Sequence, residues 1–306
     1  MRLPQLKGTG VALVTPFLDA SGKVDFDALE RIIEFNIQGG VDYLVSLGTT
    51  GEAVTLARKT CKEILAFTLK CAAGRVPVVA GMFGGHWTEG ILERIKDYDL
   101  EGFAAIMSSN PNYLKPSQEG IFQHFMSIAN AAPLPIIIYN VPGRASSNVL
   151  PETTLRLANA NKKFVAIKEA SGDLVQIQKI LKHRPKDFMV LSGDDPTALA
   201  TVGCGGEGVI SVIANAYPAA FSSMIKAALQ GDYKTAQKLN STLFDLHQWL
   251  YKDGNPAGVK AALHLMGYCQ NILKLPLVPA SANTIDGLQK EMNKVHQSLN
   301  AATVNA

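Results

Sequence analysis

The segment Lys163-Phe164-Val165-Ala166-Ile167-Lys168 is a short apolar run that ends in a second basic residue. Runs of this length, bounded by polar or turn-forming residues, are typical of buried β-strands. The sequence therefore predicts a strand over Phe164–Lys168, with a lysine at its carboxyl end. Similar segments recur through the first two thirds of the chain, and helix-like segments separate them.

The chain contains seven further candidate strands and a matching series of candidate helices. The other strands are predicted at Gly10–Thr15, Tyr43–Leu47, Val76–Gly81, Gly102–Met107, Pro135–Asn140, Met189–Ser192 and Gly208–Val212. Apolar residues at helical spacing predict helices from Asp25 or Asp27 to Ile37, and over Thr60–Ala73, Thr88–Asp99, Gln118–Ala131, Pro151–Ala160, Leu174–Lys182 and Pro196–Val202.

Eight strands that alternate with helices indicate parallel pairing through crossover helices, and eight is the number that closes a barrel. A doubly wound open sheet is the alternative, and it predicts a glycine fingerprint after the first strand. The chain has Thr15-Pro16-Phe17 there instead. We therefore predict the α/β class, with a (β/α)8 (TIM) barrel.

The pattern changes after about Tyr217, where the candidate strands stop. Helices are predicted at Ala219–Gln230, Tyr233–Leu250, Pro256–Met266 and Thr284–Leu299. We expect residues 1–216 to form the catalytic barrel and residues 217–306 to form a C-terminal helical extension packed on it.

Composition limits the classes of function. The 306 residues are 47% hydrophobic and 18% charged with a net charge of +3, and no basic run or basic amphipathic stretch predicts nucleic acid or membrane binding. Met1–Lys7 lacks the apolar core of a signal peptide. The four cysteines have neither zinc-site nor CxxC spacing, so we expect reduced thiols in a cytoplasmic protein.

Polar side chains follow the predicted strands at their carboxyl ends, where barrels of this type place their active sites. Hydroxyl groups, a guanidinium and one lysine should therefore meet on one rim. The segments concerned are Gly48–Glu52, Asn110–Tyr113, Tyr139–Arg144, Lys168–Gly172 and Ser192–Asp195.

Lys168 has a possible catalytic role in this setting. Desolvation disfavours the charged form of an amine, and a neutral amine attacks a ketone to form a Schiff base. The alternative is a lysine that reaches the surface or pairs with the adjacent Glu169.

Alternation along strands predicts which side chains accompany Lys168. Phe164, Ala166 and Lys168 should share one face, while Val165 and Ile167 point toward the helices. On the preceding strand Ile137 and Tyr139 share a face. If both faces point inward, Tyr139 and Lys168 are neighbours at the barrel mouth.

The motifs GTTGE (48–52), YNVPGR (139–144), IKEASGD (167–173), SGDD (192–195) and GVIS (208–211) occur in this order. Together they resemble the dihydrodipicolinate synthase/N-acetylneuraminate lyase family of class I aldolases, and within it the synthases. The resemblance covers essentially the whole chain. It implies a lyase that condenses pyruvate with L-aspartate 4-semialdehyde, at the start of the diaminopimelate and lysine pathway.

The resemblance also implies a role for each matching residue. Lys168 would form the Schiff base with pyruvate and Tyr139 would act as general acid and base. Thr49 and Tyr113 would complete a proton relay, with Tyr113 donated by a neighbouring subunit. The substrates would be bound by Thr50, Gly51, Gly193 and Ile210 on the pyruvate side, and by Arg144 at the acceptor carboxylate.

No cofactor and no metal are expected, because the iminium itself is the electron sink. A shared relay implies a homo-oligomer, a dimer or a dimer of dimers. Asp194 and Asp195 would repel a phosphate, which argues against a phosphosugar aldolase. Asp194, Asp195, Asn255 and Lys260 lie in matching segments, but no mechanistic role follows for them.

Two alternatives stay open at this point. One is another pyruvate-dependent aldolase or sugar-acid dehydratase of the same family, which Arg144 disfavours. The other is a non-catalytic relative that binds a small molecule, which the complete set of lysine, tyrosine and hydroxyl residues disfavours.

The sequence also bears on inhibition by lysine. Lysine-inhibited synthases resemble one another at a pocket between subunits. This chain departs from that pattern at Asn112 and at Gly84-Gly85-His86, although Glu89 matches. We expect inhibition by L-lysine to be weak or absent.

Overall fold

The computed structural model describes residues 6–81 and 83–304, with residues 302–304 described by their backbone alone. Residues 1–5, most of the segment judged for a signal peptide, lie outside the described residues. Parallel strands form one closed barrel in the order β1 to β8. The strands are β1 (Gly8–Ala12), β2 (Tyr43–Ser46), β3 (Val78–Ala80), β4 (Ala105–Ser109), β5 (Ile136–Asn140), β6 (Phe164–Glu169), β7 (Met189–Ser192) and β8 (Gly208–Ser211).

Helices follow the strands and then continue beyond the barrel. They are α1 (Phe26–Gln38), α2 (Arg58–Ala72), α3 (Thr88–Asp97), α4 (Gln118–Ala131), α5 (Pro142–Ala145), α6 (Pro151–Ala160), α7 (Leu174–His183), α8 (Ala198–Gly203), α9 (Pro218–Leu229), α10 (Tyr233–Leu243), α11 (Leu246–Lys252), α12 (Ala257–Leu265) and α13 (Ala282–Val304). The predicted barrel and its eight strands are confirmed, with strand ends shifted by a few residues.

Local chemistry explains several of these boundaries. Asp25 caps α1, since its carboxylate accepts a hydrogen bond from the backbone N–H of Ala28 at 2.9 Å. Asp173 caps α7 in the same way through the N–H groups of Val175 and Gln176. Both caps satisfy donors that the first helical turn leaves unpaired.

The prediction of a single helix over Tyr233–Leu250 is wrong. The chain turns at Phe244 and Asp245, so two helices replace one. The first of them, α10, packs on α9, whereas α11 packs on α12 and α13. Apolar periodicity continues through Phe244 and Asp245 and does not register this interruption of the helix.

Strand β6 departs from simple alternation. Ile136 pairs with Phe164 but Ile137 pairs with Ala166, so Val165 is an extra residue in a β-bulge. Phe164 therefore faces the helices, where its ring packs at 6.3 Å from that of Phe125. Val165 turns into the barrel instead. The predicted facing of Phe164 and Val165 is wrong, while that of Ala166, Ile167 and Lys168 is correct.

The helices after β8 complete the outer layer and extend it. Helix α9 packs against β1, α1 and α8, and so closes the ring of helices around the barrel. Helices α10 to α13 lie outside this ring. The division of the chain at residues 216 and 217 stays a prediction. In the part of the chain that the structure describes, no helix has the length and apolar character needed to cross a bilayer.

Candidate active site

Lys168 and Tyr139 lie side by side at the carboxyl ends of β6 and β5. The two residues are partners in the strand register, and the Lys168 Nζ atom lies 4.3 Å from the centre of the Tyr139 ring. Lys168 is 4% exposed and Tyr139 is 7% exposed. A lysine amine is thus held against a phenol in the barrel mouth, with little water around it. That arrangement suits an amine nucleophile with a proton donor beside it.

Glu169 does not neutralise this lysine. Its carboxylate turns to the other face of β6, where Oε2 accepts hydrogen bonds from Asn140 Nδ2 at 2.9 Å and Gln176 Nε2 at 2.8 Å. Its Oε1 accepts from the backbone N–H of Ser171 at 2.8 Å. The ion pair between Lys168 and Glu169, considered as an alternative above, is not among those formed by the described residues.

Gly193 makes room for the lysine side chain. A Cβ atom at this position would lie 2.9 Å from Lys168 Cγ, 3.0 Å from Lys168 Cε and 2.6 Å from Ala170 Cβ. The backbone N–H of Gly193 donates to the Glu169 carbonyl at 2.7 Å, which fixes the start of the loop. Ile210 on β8 is buried in the same inner cluster of the barrel. Gly193 therefore contacts the lysine, and Ile210 lies in the barrel interior.

The turn after β2 brings hydroxyl groups to the same rim. Thr50 is buried, and its Oγ1 accepts a hydrogen bond from Asn255 Nδ2 at 3.0 Å. With its oxygen accepting there, the Thr50 O–H remains a donor suited to a carboxylate. The Gly51 carbonyl accepts from Thr15 Oγ1 at 2.7 Å, which fastens the turn to the loop after β1.

Arg144 lies in the short helix α5, which the sequence analysis missed. It is exposed, and its Nη2 donates to the Asn255 carbonyl at 3.2 Å. Together with Thr49 and Tyr139 it lines a cavity of about 540 Å³. A guanidinium at the mouth of this cavity can bind a carboxylate in a bidentate manner.

Tyr113 is the one predicted relay residue that points away from this site. Its side chain is 84% exposed, and among the described residues lining the cavity Thr49 and Tyr139 are present whereas Tyr113 is not. The backbone of Tyr113 has φ of +65°, a conformation that costs a non-glycine residue about 1–2 kcal/mol. The chain thus presents a tyrosine outward on a strained loop.

The aspartates after β7 have structural partners. Asp195 is buried, and its Oδ2 accepts from the backbone N–H groups of Val212 at 3.0 Å and Ile213 at 2.8 Å, and from Tyr251 Oη at 2.9 Å. Burial and the neighbouring Asp195 raise the pKa of Tyr251 well above its usual value, which keeps the phenol protonated as a donor. These backbone donors are therefore occupied by a carboxylate and are not available to a phosphate.

Two residues that gained no role from the sequence contact this site or its supports. Asn255 bonds to Thr50 and Arg144, and Lys260 forms an ion pair with Glu52 in the turn after β2. A signal for Lys260 was available, because it stands alone in the apolar stretch Ala257–Leu263. No local signal reveals which distant residue Asn255 or Lys260 meets. Within the described ranges, no cluster of His, Cys, Asp and Glu side chains is arranged to bind a metal.

Comparison with known proteins identifies the family of the chain over nearly its full length. The family model described as Dihydrodipicolinate synthetase family matches residues 5–295. The chain is 45% identical to the 4-hydroxy-tetrahydrodipicolinate synthase of Parabacteroides distasonis, covering 95% of this chain and 97% of that protein. It is 45% identical to the synthase of Cytophaga hutchinsonii, with 94% and 96% covered.

A solved structure agrees with these sequence matches. The dihydrodipicolinate synthase from Thermotoga maritima superposes with a TM-score of 0.92 at 37% identity, covering 95% of this chain and 99% of that one. Fold, motif order and sequence identity over almost the whole length lead to one conclusion. The chain belongs to the dihydrodipicolinate synthetase family.

Proposed function

We propose that this protein condenses pyruvate with L-aspartate 4-semialdehyde to give 4-hydroxy-tetrahydrodipicolinate, through a Schiff base on Lys168. The observation that carries the proposal is the buried Lys168 amine held 4.3 Å from the Tyr139 ring centre in the barrel mouth. Curated relatives at about 45% identity bear the name of this synthase. The product enters the biosynthesis of diaminopimelate and lysine.

The first half of the reaction activates pyruvate. The Lys168 nitrogen attacks the ketone carbon, and loss of water leaves an iminium that withdraws electrons from the methyl group. Tyr139 supplies protons to the departing oxygen and removes one from the methyl carbon, which gives an enamine. The O–H of Thr50 and the backbone around Gly51 hold the pyruvate carboxylate, while Gly193 and Ile210 line the space around the lysine.

The second half joins the acceptor. The enamine carbon attacks the aldehyde of the semialdehyde, and a proton from the Tyr139 relay reaches the new alkoxide. The amine of the acceptor then attacks the iminium carbon, closes the ring and releases Lys168 as a free amine. Arg144 binds the acceptor carboxylate and so orients the aldehyde toward the enamine.

In the proposed mechanism, the proton relay contains residues from two chains. Tyr139 exchanges protons with Thr49, and Tyr113 from a neighbouring copy completes the path. The outward position of Tyr113 and its strained backbone support this arrangement. We therefore propose a homo-oligomer with at least a dimer as its working unit. We also assign the enzyme to the cytoplasm, because its four cysteines are free thiols.

Reductive trapping tests the Schiff base. The protein is incubated with pyruvate and borohydride, and the modified peptide is located by mass spectrometry. We expect one pyruvate-derived adduct on Lys168, with none in Lys168→Ala and full labelling in Lys162→Ala, an exposed lysine on the same βα unit. An adduct at another lysine, or no adduct in the folded protein, would contradict the proposed chemistry.

A further inference from the structure

A fully buried ion pair joins the turn after β2 to helix α12. Lys260 Nζ lies 2.5 Å from Glu52 Oε1, and both side chains are 0% exposed. The two residues are 208 positions apart in the chain. Removing a charged group from water costs several kcal/mol, so each member of a buried ion pair needs well-placed hydrogen-bond partners in addition to the other charge.

Each partner has such contacts. Lys260 Nζ also donates to the Ile272 carbonyl at 2.8 Å and lies 4.1 Å from the centre of the Phe17 ring. Glu52 Oε2 accepts from the backbone N–H of Lys274 at 2.9 Å. The pair therefore joins four segments: the loop after β1, the turn after β2, helix α12 and the segment that follows it.

Glu52 also closes the turn that carries the proposed pyruvate-binding residues. Its backbone N–H donates to the Thr49 carbonyl at 3.1 Å, and its φ of +54° is left-handed. A non-glycine residue adopts that conformation only where its surroundings enforce it. The side-chain contacts of Glu52 supply this enforcement, because they fix it at both carboxylate oxygens. Thr50 and Gly51 lie between Thr49 and Glu52, the two residues that this backbone hydrogen bond joins.

We propose that Glu52 and Lys260 are positioning residues for pyruvate: their ion pair holds the Thr49–Gly51 turn so that the Thr50 hydroxyl meets the pyruvate carboxylate. The proposal rests on the function proposed above. It makes the C-terminal helical region part of the pyruvate site, although no side chain of the pair touches the substrate. Arg144, at the acceptor side, donates to the Asn255 carbonyl rather than to either residue of the pair, so binding of the acceptor should be affected much less.

The experiment compares two ion pairs of low exposure. In the test protein, Glu52→Gln and Lys260→Met are combined, which removes both charges and leaves no unpaired buried charge. In the matched control, Glu207→Gln and Arg184→Met remove the pair between Glu207 Oε2 and Arg184 Nη1, which lie 2.6 Å apart at the opposite end of the barrel. Conservation of fold is checked by circular dichroism and by the melting temperature.

The readout is the pyruvate concentration that gives half-maximal reductive trapping on Lys168. We expect the test protein to need at least about tenfold more pyruvate, since small misplacements of a positioning group cost one to two orders of magnitude. Removal of the control pair should change this pyruvate concentration less than about twofold. The KM for the semialdehyde should change less than about threefold in both proteins.

Other outcomes have defined meanings. Equal pyruvate dependence in test and control proteins would overturn the inference and leave the proposed function standing. An absence of trapping in the unmodified protein would instead contradict the proposed function. If the double variant fails to fold, Glu52→Asp alone decides, because it keeps both buried charges and shortens the side chain that joins the turn to Lys260. A pyruvate requirement raised at least about threefold supports the positioning role, and an unchanged requirement overturns it.

Discussion

At the scale of single residues, the site depends on where each polar group finds its partner. Lys168 lies against Tyr139 and Gly193, whereas the adjacent Glu169 is bonded to amides on the other face of β6. Two consecutive ionisable residues thus meet opposite environments, because strand alternation sends one into the barrel and the other toward the helices. This separation keeps the lysine amine available for chemistry.

Arg144 gives the sharpest test of substrate choice. Arg144→Ala removes the charge proposed to bind the acceptor carboxylate, which should raise the KM for aspartate semialdehyde about 10- to 100-fold. The KM for pyruvate should change less than about threefold. Arg144→Lys keeps the charge without the bidentate geometry, so its KM for the semialdehyde should lie between those of the unmodified protein and Arg144→Ala. Equal losses for both substrates in steady-state kinetics would remove Arg144 from the acceptor site.

The buried His124 makes the stability of the folded protein depend on pH. Burial lowers its pKa from 6.5 to about 4, against an opposing effect of Glu89. The folded protein therefore keeps His124 neutral, while the unfolded chain takes up a proton below pH 6.5. This contribution to stability is complete above that pH and is lost as the pH falls toward 4, by up to about 3 kcal/mol.

Urea unfolding at a fixed protein concentration measures this effect. His124→Gln should lose less stability than the unmodified protein between pH 6.5 and about 4.5, and the exposed His183→Gln should behave as the unmodified protein does. Identical pH profiles for His124→Gln and the unmodified protein would show that the buried histidine does not contribute to acid sensitivity.

At the scale of elements, the sequence predicts most of the architecture and the rim residues. Apolar runs and turn residues locate every barrel strand, because these are local signals. The bulge at Val165 and the break at Phe244 were missed, since both follow from how an element fits neighbours that are distant in sequence. The partners of Asn255 and Lys260 were missed for the same reason, as they lie 205 and 208 residues away.

Gly193, in the loop after β7, packs tightly against the Lys168 side chain. In Gly193→Ala the new methyl group would overlap Lys168 and Ala170, and the lysine stem would have to shift. We expect the rate of pyruvate trapping to fall about 10- to 100-fold. Gly203→Ala, in α8 of the same βα unit, meets only ordinary contacts at 3.8 Å or more and is the control. A normal trapping rate in a folded Gly193→Ala protein would contradict the tight fit.

At the scale of the whole molecule, no single segment contains the site. The reacting lysine and tyrosine come from β6 and β5, and the hydroxyl groups come from the turn after β2. Supporting contacts come from Asn255 and Lys260 in the C-terminal region. The closed barrel brings these segments to one rim, which explains how residues spread over most of the chain act together.

A shared relay can be tested by mixing inactive subunits. Tyr113→Phe and Lys168→Ala proteins carry different defects, so a mixed dimer contains one intact site if Tyr113 crosses the interface. We expect purified mixed dimers to show about half the activity of the unmodified dimer. Verified mixed dimers that stay as inactive as both parents would mean that each site is built from one chain.

The cavity lined by Thr49, Tyr139 and Arg144 also bears on inhibition by lysine. Asn112, Gly84, Gly85 and His86, where the chain departs from lysine-inhibited synthases, all line it. Among the described residues that line it, none is a carboxylate that could pair with a lysine ammonium. Binding there would remove the ammonium from water without an opposite charge to compensate. We expect L-lysine to inhibit weakly or not at all in steady-state assays, and a submillimolar inhibition constant would contradict this.

The proposed function requires that Lys168 turns pyruvate into a nucleophile for aspartate semialdehyde. The most direct measurement is steady-state turnover of the two substrates, coupled to a dihydrodipicolinate reductase and followed by loss of NADPH. We expect robust turnover that disappears in Lys168→Ala and persists in Lys162→Ala. No turnover from a folded protein that still traps pyruvate on Lys168 would contradict the proposed acceptor, and would direct attention to sugar acids and other aldehydes.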